Sequence, residues 1–511
     1  MSRHTRLSLI PLEDRTTPTT ASYAAGTLTL TTGNNNFIEV TMKYFGNNNY
    51  IPGYLHVEAG NVQIFESADN QPVNAIIVKN GAGVEDYAFE MFDKVSVGSL
   101  TIGGATKMTN ISLMDGVHIS GDFKFTGVGT AADNVTVQKD SIIGGNATLD
   151  FKSGSNSLKL EDGFIGGNLT VLGGAGNDEV DFFNSGDVTV GGSAKFTLGD
   201  GDNKIQAIKQ GTLSVGKGFT FTGGLGQNRF NFGMLNAELD VGANLTVSFG
   251  GMGLPPSDSW YSHTLNVGGS VTFTLGGVGG DSGASLLGAT VIGGNLSVAA
   301  TAPFGLSIGG DSYATTIGGS LKFTGGPADD AAYFDRLQVA KDVTLNLGAG
   351  STGQHVHLGD NQAHPVVVGG NLSITTGAAA DDILVLQTTV GKALTISTGG
   401  GADKVYIDDT SVTGATLIDL GAGADELHVD TKIANVDLDQ LDGYTQFGGN
   451  FTVMAGDGDD LVDLSDSGGQ HLVVGGITKL VGGIGKDTFK HWTGNIYLGT
   501  HTEDFELGEA F

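Results

Sequence analysis

The chain contains no cysteine among its 511 residues, and only 9 of them are proline. Without cysteine it can form neither a disulfide framework nor a thiolate metal site. A long chain of this kind must obtain its stability from repetitive hydrogen bonding and from the burial of apolar side chains. No apolar run approaches the roughly 18 residues of a membrane-spanning helix, so we expect no transmembrane segment.

Basic residues are also scarce, because 25 Lys and Arg stand against 55 Asp and Glu, a formal net charge of −30. Nucleic-acid binding depends on neutralising phosphates with basic side chains, so this composition argues against a nucleic-acid partner. Cations or cationic partners are the natural counterparts of such a chain. The excess is strongest towards the end, where residues 371–511 hold 22 acidic and 6 basic residues.

Glycine is abundant, with 85 residues, and much of it recurs in corners of the type GGN or GGS. Successive corners are mostly 22 to 26 residues apart, and clear examples lie at residues 144–146, 166–168, 191–193, 268–270, 293–295, 318–320, 369–371 and 448–450. A short alternating strand follows each corner, as in Leu169-Thr170-Val171. Three short strands and three corners fill each period, which predicts one rung of a parallel β-helix.

The predicted fold is all-β: a parallel β-helix (β-solenoid) of about fifteen rungs with 22–26-residue repeats and an N-terminal β cap. At about 4.8 Å per rung, the rod would be roughly 70–80 Å long. In the repeat around residue 175, Leu169, Val171, Val180 and Phe182 should point inward, with Thr170 and Asp181 outward. An antiparallel sandwich array is the rival, but its turns would recur every ~8–12 residues without a longer constant period.

The composition divides the chain into four predicted parts. Residues 1–22 read as a disordered leader or export tail, 23–97 as an N-terminal β cap with entry coils, 98–500 as the solenoid body and 501–511 as an acidic C-terminal tail. A cap is expected because the end of a solenoid exposes strand edges and an open core.

The second corner of each rung is acidic. It reads GGAGND at 173–178 and GDGDN at 199–203, and returns at 326–330, 377–381, 399–403, 421–425, 456–460 and 483–487. Candidate metal ligands are the carboxylates of these corners: Asp178, Asp330, Asp381, Asp403, Asp425, Asp457, Asp459, Asp460 and Asp487.

Stacking would place the acidic corners one above another. Asp381, Asp403 and Asp425 are spaced by 22 residues, so their carboxylates should form a column at ~4.8 Å intervals. Their repulsion, up to ~1 kcal/mol per neighbour in water, could be relieved by a cation, by raised pKa values or by splaying into solvent as a solvated acidic edge. Upstream the column contains Asn203 and Asn228, and an amide ladder needs no ion.

The acidic corner resembles the GGxGxDxUx nonapeptide of the repeats-in-toxin family, most clearly at residues 173–182 and 455–464. In that family the glycine-rich turns present backbone carbonyls and the Asp carboxylate to Ca²⁺. The family's motifs follow one another in tandem and share each ion, whereas here one motif occurs per rung. The resemblance implies Ca²⁺ as a bound ion of the acidic corners.

Residues 11–18, PLEDRTTP, resemble the leader of many large, repeat-rich bacterial surface proteins. This resemblance implies export and an extracellular or cell-surface location. Together these features lead us to expect a non-enzymatic surface or matrix protein with a structural or adhesive role. Its expected partners are calcium ions and polysaccharide or surface proteins.

The sequence leaves two alternatives open, an enzyme active site and a transition-metal site. A carbohydrate-active β-helix enzyme, a polysaccharide lyase or hydrolase, would need paired carboxylates or a base near acids, and the solenoid body offers only Arg229 and Arg336 as arginines. A transition metal would accept His355 and His357 with Asp360 and His364, but a solvated loop is the preferred explanation of these residues.

Overall fold

A computed structural model describes residues 19–33, 36–44, 50–68, 71–182, 186–207, 210–232, 237–251, 260–276, 282–310, 313–327, 329–348, 350, 353–360, 364–431, 443–464, 472–505 and 507–510. All regular secondary structure in these residues is β-strand. In this part of the chain there is therefore no helix long and apolar enough to cross a membrane.

Each rung consists of three strands, which we assign to faces A, B and C of the solenoid. In one rung these strands are Leu169–Leu172, Glu179–Phe182 and Val188–Val190. Each strand pairs in parallel with the equivalent strand of the next rung, as Leu169 does with Ala194. The prediction of an all-β parallel solenoid of about fifteen rungs is thus confirmed.

Face A is a 20-stranded sheet in the described residues. Its strands are Thr20–Ala24, Thr27–Thr31, Ala75–Lys79, Ser99–Gly103, Phe123–Thr126, Ala147–Asp150, Leu169–Leu172, Ala194–Gly199, Phe219–Gly223, Leu245–Phe249, Val271–Leu275, Leu296–Ala300, Leu321–Thr324, Val343–Asn346, Leu372–Thr375, Leu394–Ser397, Thr416–Asp419, Phe451–Asp457, Thr478–Ile484 and His501–Asp504.

Faces B and C are joined by two long strands that run across both, Trp260–Val267 and Ser282–Ile292. The other strands of face B are Asn36–Tyr44, Asp86–Met91, Met108–Leu113, Asn134–Val137, Ser157–Leu160, Glu179–Phe182, Lys204–Ala207, Arg229–Phe232, Phe304–Ile308, Asp330–Phe334, His355–Leu358, Asp382–Leu386, Lys404–Asp408, Glu426–Val429, Leu461–Leu464, Thr488–His491 and Leu507–Ala510. Those of face C are Ser96–Val97, His118–Ile119, Ser141–Ile143, Gly163–Ile165, Val188–Val190, Gly211–Val215, Ala237–Val241, Thr315–Ile317, Leu337–Val339, Val366–Val368, Thr388–Val390, Ser411–Val412, Gln446–Phe447, Val473–Val474 and Ile496–Tyr497.

The core follows the alternation along each strand. Leu169, Val171, Val180 and Phe182 are buried as predicted, because successive side chains of a strand point to opposite sides. Asp181 lies at an outward position by this alternation, yet it is buried. The Gln206 side chain of the next rung covers it and donates a hydrogen bond of 2.9 Å to its Oδ1.

The GGN corner connects face C to face A and explains its own residue pattern. The side-chain oxygen at its third position accepts the N–H of the same position one rung on, as Asn146 Oδ1 does from Asn168 at 2.9 Å. A side chain at the first position would clash, because a Cβ at Gly166 would overlap the carbonyl oxygen of Gly144. The corner is therefore an exposed polar ladder on closely stacked backbone.

Antiparallel strands are found at the beginning of the rod. Strand Thr20–Ala24 pairs with Thr27–Thr31, and the hairpin of Tyr50–Ala59 and Val62–Glu66 extends Asn36–Tyr44. The Tyr23 ring stacks on Phe65 with centroids 5.8 Å apart, which ties the two together. Residues 1–18 of the predicted leader lie outside the described residues.

The other end of the rod continues through residues that the composition marks as a tail. Strand His501–Asp504 pairs in parallel with Thr478–Ile484, and Leu507–Ala510 pairs with Thr488–His491. These acidic residues thus extend faces A and B by one more rung.

Candidate functional site

A column of buried polar side chains runs along the inside of the acidic corners, between faces A and B. Each member stands two residues before the first inward residue of a face B strand, and all are at most 3% exposed. We call this set the inner column: Asp133, Asn156, Asp178, Asn203, Asn228, Asp330, Gln354, Asp381, Asp403, Asp425, Asp460 and Asp487.

The inner column is a ladder of side-chain to backbone hydrogen bonds. The Oδ1 atom of Asp403 accepts the N–H of Asp381 at 2.8 Å, and Asp425 Oδ1 accepts that of Asp403 at 2.8 Å. The same bond joins Asp425 to Asp460 at 2.9 Å. One oxygen of each carboxylate therefore pairs with the backbone of the preceding rung, which links successive rungs from inside.

Asn203 shows which hydrogen bonds the side-chain nitrogen makes in a rung whose inner-column residue is an amide. Its Nδ2 donates to the carbonyl oxygens of Gly199 at 2.9 Å and Gly201 at 3.1 Å. It also donates to Asn228 Oδ1 at 3.0 Å. The corner thus directs two backbone carbonyls at the side chain, and an amide satisfies both, as the sequence predicted for this stretch.

The carboxylate rungs of Asp403, Asp425 and Asp460 have corners of the same conformation. Gly199 and Gly201 have φ of 69° and 132°, and Gly421 and Gly423, which precede Asp425 at the same spacing, have φ of 89° and 153°. Only glycine fits at Gly423, because a Cβ there would overlap the carbonyl oxygen of Gly401 as well as meet a strained φ.

An oxygen thus replaces the donating nitrogen in the carboxylate rungs. Oδ2 is buried without a hydrogen-bond partner at Asp133, Asp178, Asp330, Asp381, Asp403, Asp425 and Asp460. An ionised carboxylate cannot donate to a carbonyl, so this oxygen needs a hydrogen-bond donor such as water, a cation or its own proton.

Burial raises the pKa values of these carboxyl groups. It raises the pKa of Asp425 and of Asp330 to about 7, and that of Asp403, Asp178 and Asp133 to about 6. The pKa values of Asp381 and Asp460 are also raised, chiefly by burial. The desolvated charged form is disfavoured wherever water cannot reach it.

The oxygen donors of the carboxylate rungs suit a hard cation. Ca²⁺ takes carboxylate and backbone carbonyl oxygens, which are the groups that this corner brings together. Among the described residues no three His, Asp or Glu side chains converge on one point. An ion at Asp425 or Asp460 would therefore depend on one or two column carboxylates supplemented by corner carbonyls.

The predicted metal ligands fall into two groups. Asp178, Asp330, Asp381, Asp403, Asp425, Asp460 and Asp487 belong to the buried inner column, so a solvated acidic edge is a wrong description of them. Asp457 and Asp459 are exposed on the outer side of the same corner, where Asp459 Oδ1 accepts the N–H of Lys486 at 2.9 Å.

The other sequence candidates are not brought into one site. His364 Nδ1 lies 2.7 Å from Asp360 Oδ2, whereas the His357 ring packs edge-on against Tyr333 with centroids 5.0 Å apart. Arg229 and Arg336 line neither of two surface cavities, a groove on face C of about 500 Å³ and an end cavity of about 470 Å³.

Three column members are not identified by the GGxGxD motif: Asp133, Asn156 and Gln354. They follow corners that lack the pattern, and Asp133 Oδ1 nevertheless accepts the N–H of Thr109 at 2.9 Å. A polar residue two positions before the first inward residue of a strand, as in Val135-Thr136-Val137, would have identified all three. The end cavity was also missed, because its residues come from separate strands.

No protein-family model, curated protein or solved structure matches the chain. The fold and the inner column define it as a parallel β-solenoid with an internal polar ladder.

Proposed function

We propose that this chain is a non-enzymatic structural or adhesive rod of an exported bacterial surface or matrix, stabilised by Ca²⁺ at its acidic corners. The observation that carries the proposal is the inner column, in which Asp425 and Asp460 keep a buried Oδ2 without a hydrogen-bond partner. The column uses its carboxylates to join rungs, which is a structural task.

Ca²⁺ would be held by Asp381, Asp403, Asp425 and Asp460 together with the corner carbonyls of their rungs. It would neutralise carboxylates that stack at about 4.8 Å and would connect successive rungs. The exposed Asp457 and Asp459 would add negative potential at the mouth of the same corner. Asp178 and Asp330 are further ligands of the same type.

The surface location is supported by the resemblance of residues 11–18 to a surface-protein leader and by the net charge of −30. It is tested by adding protease to intact cells of the native host that carry an epitope-tagged chain. Loss of the tag from intact cells supports the location, and its survival until lysis contradicts it. No specific contact in the described residues favours the alternative of a carbohydrate-active enzyme.

Ca²⁺ stabilisation is tested separately, on the purified chain, by equilibrium dialysis against ⁴⁵Ca²⁺. Binding that Asp403→Asn and Asp425→Asn remove, with Asp122→Asn as an exposed control, supports the ion's proposed position. Binding that persists unchanged in both variants would place the ions elsewhere on the acidic surface.

A further inference from the structure

Two segments of the rod differ in the side chains that fill their core. The first, residues 182–249, is called the phenylalanine segment because it buries seven rings: Phe182, Phe196, Phe219, Phe221, Phe230, Phe232 and Phe249. These rings form one connected network across four successive rungs, in which neighbouring ring centroids are 5.0–6.2 Å apart. Ring pairs at such separations stabilise a core beyond the area that they bury.

The second segment, residues 381–430, has smaller side chains in its core, and we call it the aliphatic segment. No phenylalanine occurs in the sequence from residue 335 to residue 446. The inward side chains of its strands are aliphatic or threonine. Thr416 stands at an inward position that holds Leu394 in the preceding rung and Phe451 in the following one. Its buried Oγ1 has no hydrogen-bond partner among the described residues.

The aliphatic segment also brings buried carboxyl groups close together. Three successive inner-column members have a buried Oδ2 without a hydrogen-bond partner: Asp381, Asp403 and Asp425. At the corner between faces B and C, Asp408 lies beside Asp430 of the next rung. Burial and the carboxylates of Asp409 and Asp430 raise the pKa of Asp408 to about 8. Like charges in such surroundings disfavour the folded arrangement of these rungs.

The amide members of the inner column lie in the phenylalanine segment. Asn203 and Asn228 give their side-chain N–H groups to corner carbonyls, so the column is satisfied there without an ion. Both segments are internal, because each strand pairs with the rung before it and the rung after it. Thr416–Asp419, for example, pairs with Leu394–Ser397 and with Phe451–Asp457. Fraying at an end of the rod therefore does not distinguish the two segments.

We propose that the aliphatic segment opens before the phenylalanine segment and leaves that segment folded. Each rung of a solenoid contacts only its neighbours, so its stability is set locally and a weak set of rungs can open by itself. Opening would lengthen the rod, because a rung with a repeat of 22 residues rises about 4.8 Å when stacked and spans up to roughly 70 Å when extended.

The order of opening does not depend on the proposed function, because the core side chains and the carboxyl groups already distinguish the two segments. A second statement does rest on the proposed function. If Ca²⁺ binds at Asp403 and Asp425, the ion holds the aliphatic segment closed, and the loss of the ion opens it.

Hydrogen exchange of the full chain, followed by mass spectrometry at neutral pH in EDTA, tests the order of opening. Equivalent strands of face A are compared: Leu394–Ser397 and Thr416–Asp419 in the aliphatic segment, Ala194–Gly199 and Phe219–Gly223 in the phenylalanine segment. Amides of paired strands exchange through opening, so we expect those of the aliphatic segment to exchange roughly ten-fold faster or more, after correction for intrinsic rates. Equal protection of the two segments would overturn the proposal.

A core substitution tests whether the two segments open separately. Phe230→Leu removes a ring that contacts Phe219, Phe221 and Phe232. It should speed exchange several-fold in the phenylalanine segment and leave the aliphatic segment unchanged. Phe323→Leu is the matched control, because Phe323 is buried outside both segments, with its ring centroid 6.0 Å from that of Phe304. An equal loss of protection in both segments of Phe230→Leu would show that the rod opens as one unit, which contradicts the proposal.

Millimolar Ca²⁺ tests the ion dependence in the same experiment. It should slow exchange several-fold in the aliphatic segment and leave the phenylalanine segment unchanged, and the double variant Asp403→Asn, Asp425→Asn should lose this response. Exchange that is the same in Ca²⁺ and in EDTA would contradict the proposed ion site but not the order of opening. The two failures are therefore distinguishable.

Discussion

The inner column takes two chemical forms in one fold. In the amide stretch, Asn203 and Asn228 give their side-chain N–H groups to corner carbonyls, and every polar atom has a partner. In the carboxylate stretch, from Asp403 to Asp460, the corners are equivalent but Oδ2 has no partner. The backbone therefore tolerates both, and the difference lies in the positive charge that the second form requires.

The comparison separates the geometry of the corner from the charge of its side chain. Both stretches need the glycines that precede the column residue, since positive φ and the closeness of the preceding rung are common to both. Only the carboxylate stretch needs a cation or protons. A substitution can therefore test either requirement on its own: the glycine geometry of the corner, or the cation or proton that the carboxylate requires.

The largest expected effect comes from the shared geometry. Gly423→Ala should cost about 3 kcal/mol or more, because its Cβ would overlap the Gly401 carbonyl as well as adopt a strained φ. Urea unfolding measures the loss. Gly60→Ala is the matched control, since Gly60 has a φ of 55° but open space around a Cβ, and it should cost only about 1 kcal/mol. Equal losses in the two variants would show that crowding between rungs is unimportant.

Asn203→Asp imposes the carboxylate form on the amide stretch. It should destabilise the protein by about 2–4 kcal/mol at neutral pH in EDTA, because three hydrogen bonds from Nδ2 are lost and a carboxylate faces two carbonyls. Part of this loss should return when Ca²⁺ is added. A variant as stable as the parent in EDTA would refute the difference between the two forms.

Asp425→Asn makes the reverse change. In EDTA at neutral pH it should stabilise the protein by about 1–2 kcal/mol, since an amide can donate to the carbonyls that the carboxylate only faces. Asp459→Asn, on the exposed side of a corner, is the control and should change stability little. Destabilisation by Asp425→Asn in EDTA would mean that the charged form is already satisfied within the protein.

Asp133 provides the smallest effect, which depends on pH. Burial raises its folded-state pKa to about 6 from an ordinary value of 3.8, so above pH 4 the folded state binds more protons than the unfolded state. Stability must then fall as pH rises, by about 1 kcal/mol between pH 5 and 7. The neighbouring Tyr87 stays protonated in this range, because burial raises its pKa. Urea unfolding at both pH values should show a shallower fall in Asp133→Asn, and equal falls would contradict the assignment.

The fold was predictable because the sequence repeats its own constraints. The 22–26-residue period and alternating strands such as Leu169-Thr170-Val171 define a rung. Each glycine corner marks the position at which the chain turns. It was harder to predict from the sequence whether the Asp of each corner faces the core or the solvent. An acidic residue next to exposed glycines suggests solvent, yet Asp425 is 1% exposed because its side chain turns inward to accept a backbone N–H.

The sequence also did not predict the column residues whose corners lack the GGxGxD motif. Asp133 and Gln354 take the same inward place through corners of different sequence, so stacking with neighbouring rungs determines their role. The end cavity combines residues from 491 to 503 that come from three separate strands and the turns between them. No local sequence pattern predicts a site whose residues come from several strands.

The most direct test of the account is the thermal unfolding of the full chain at neutral pH, followed by circular dichroism in millimolar Ca²⁺ and in EDTA. A ligand that binds only the folded state stabilises it, so the wild type should melt several degrees higher in Ca²⁺. The double variant Asp403→Asn, Asp425→Asn should lose most of that difference and melt above the wild type in EDTA. Identical wild-type melts in Ca²⁺ and EDTA would contradict calcium as the partner of the carboxylate stretch.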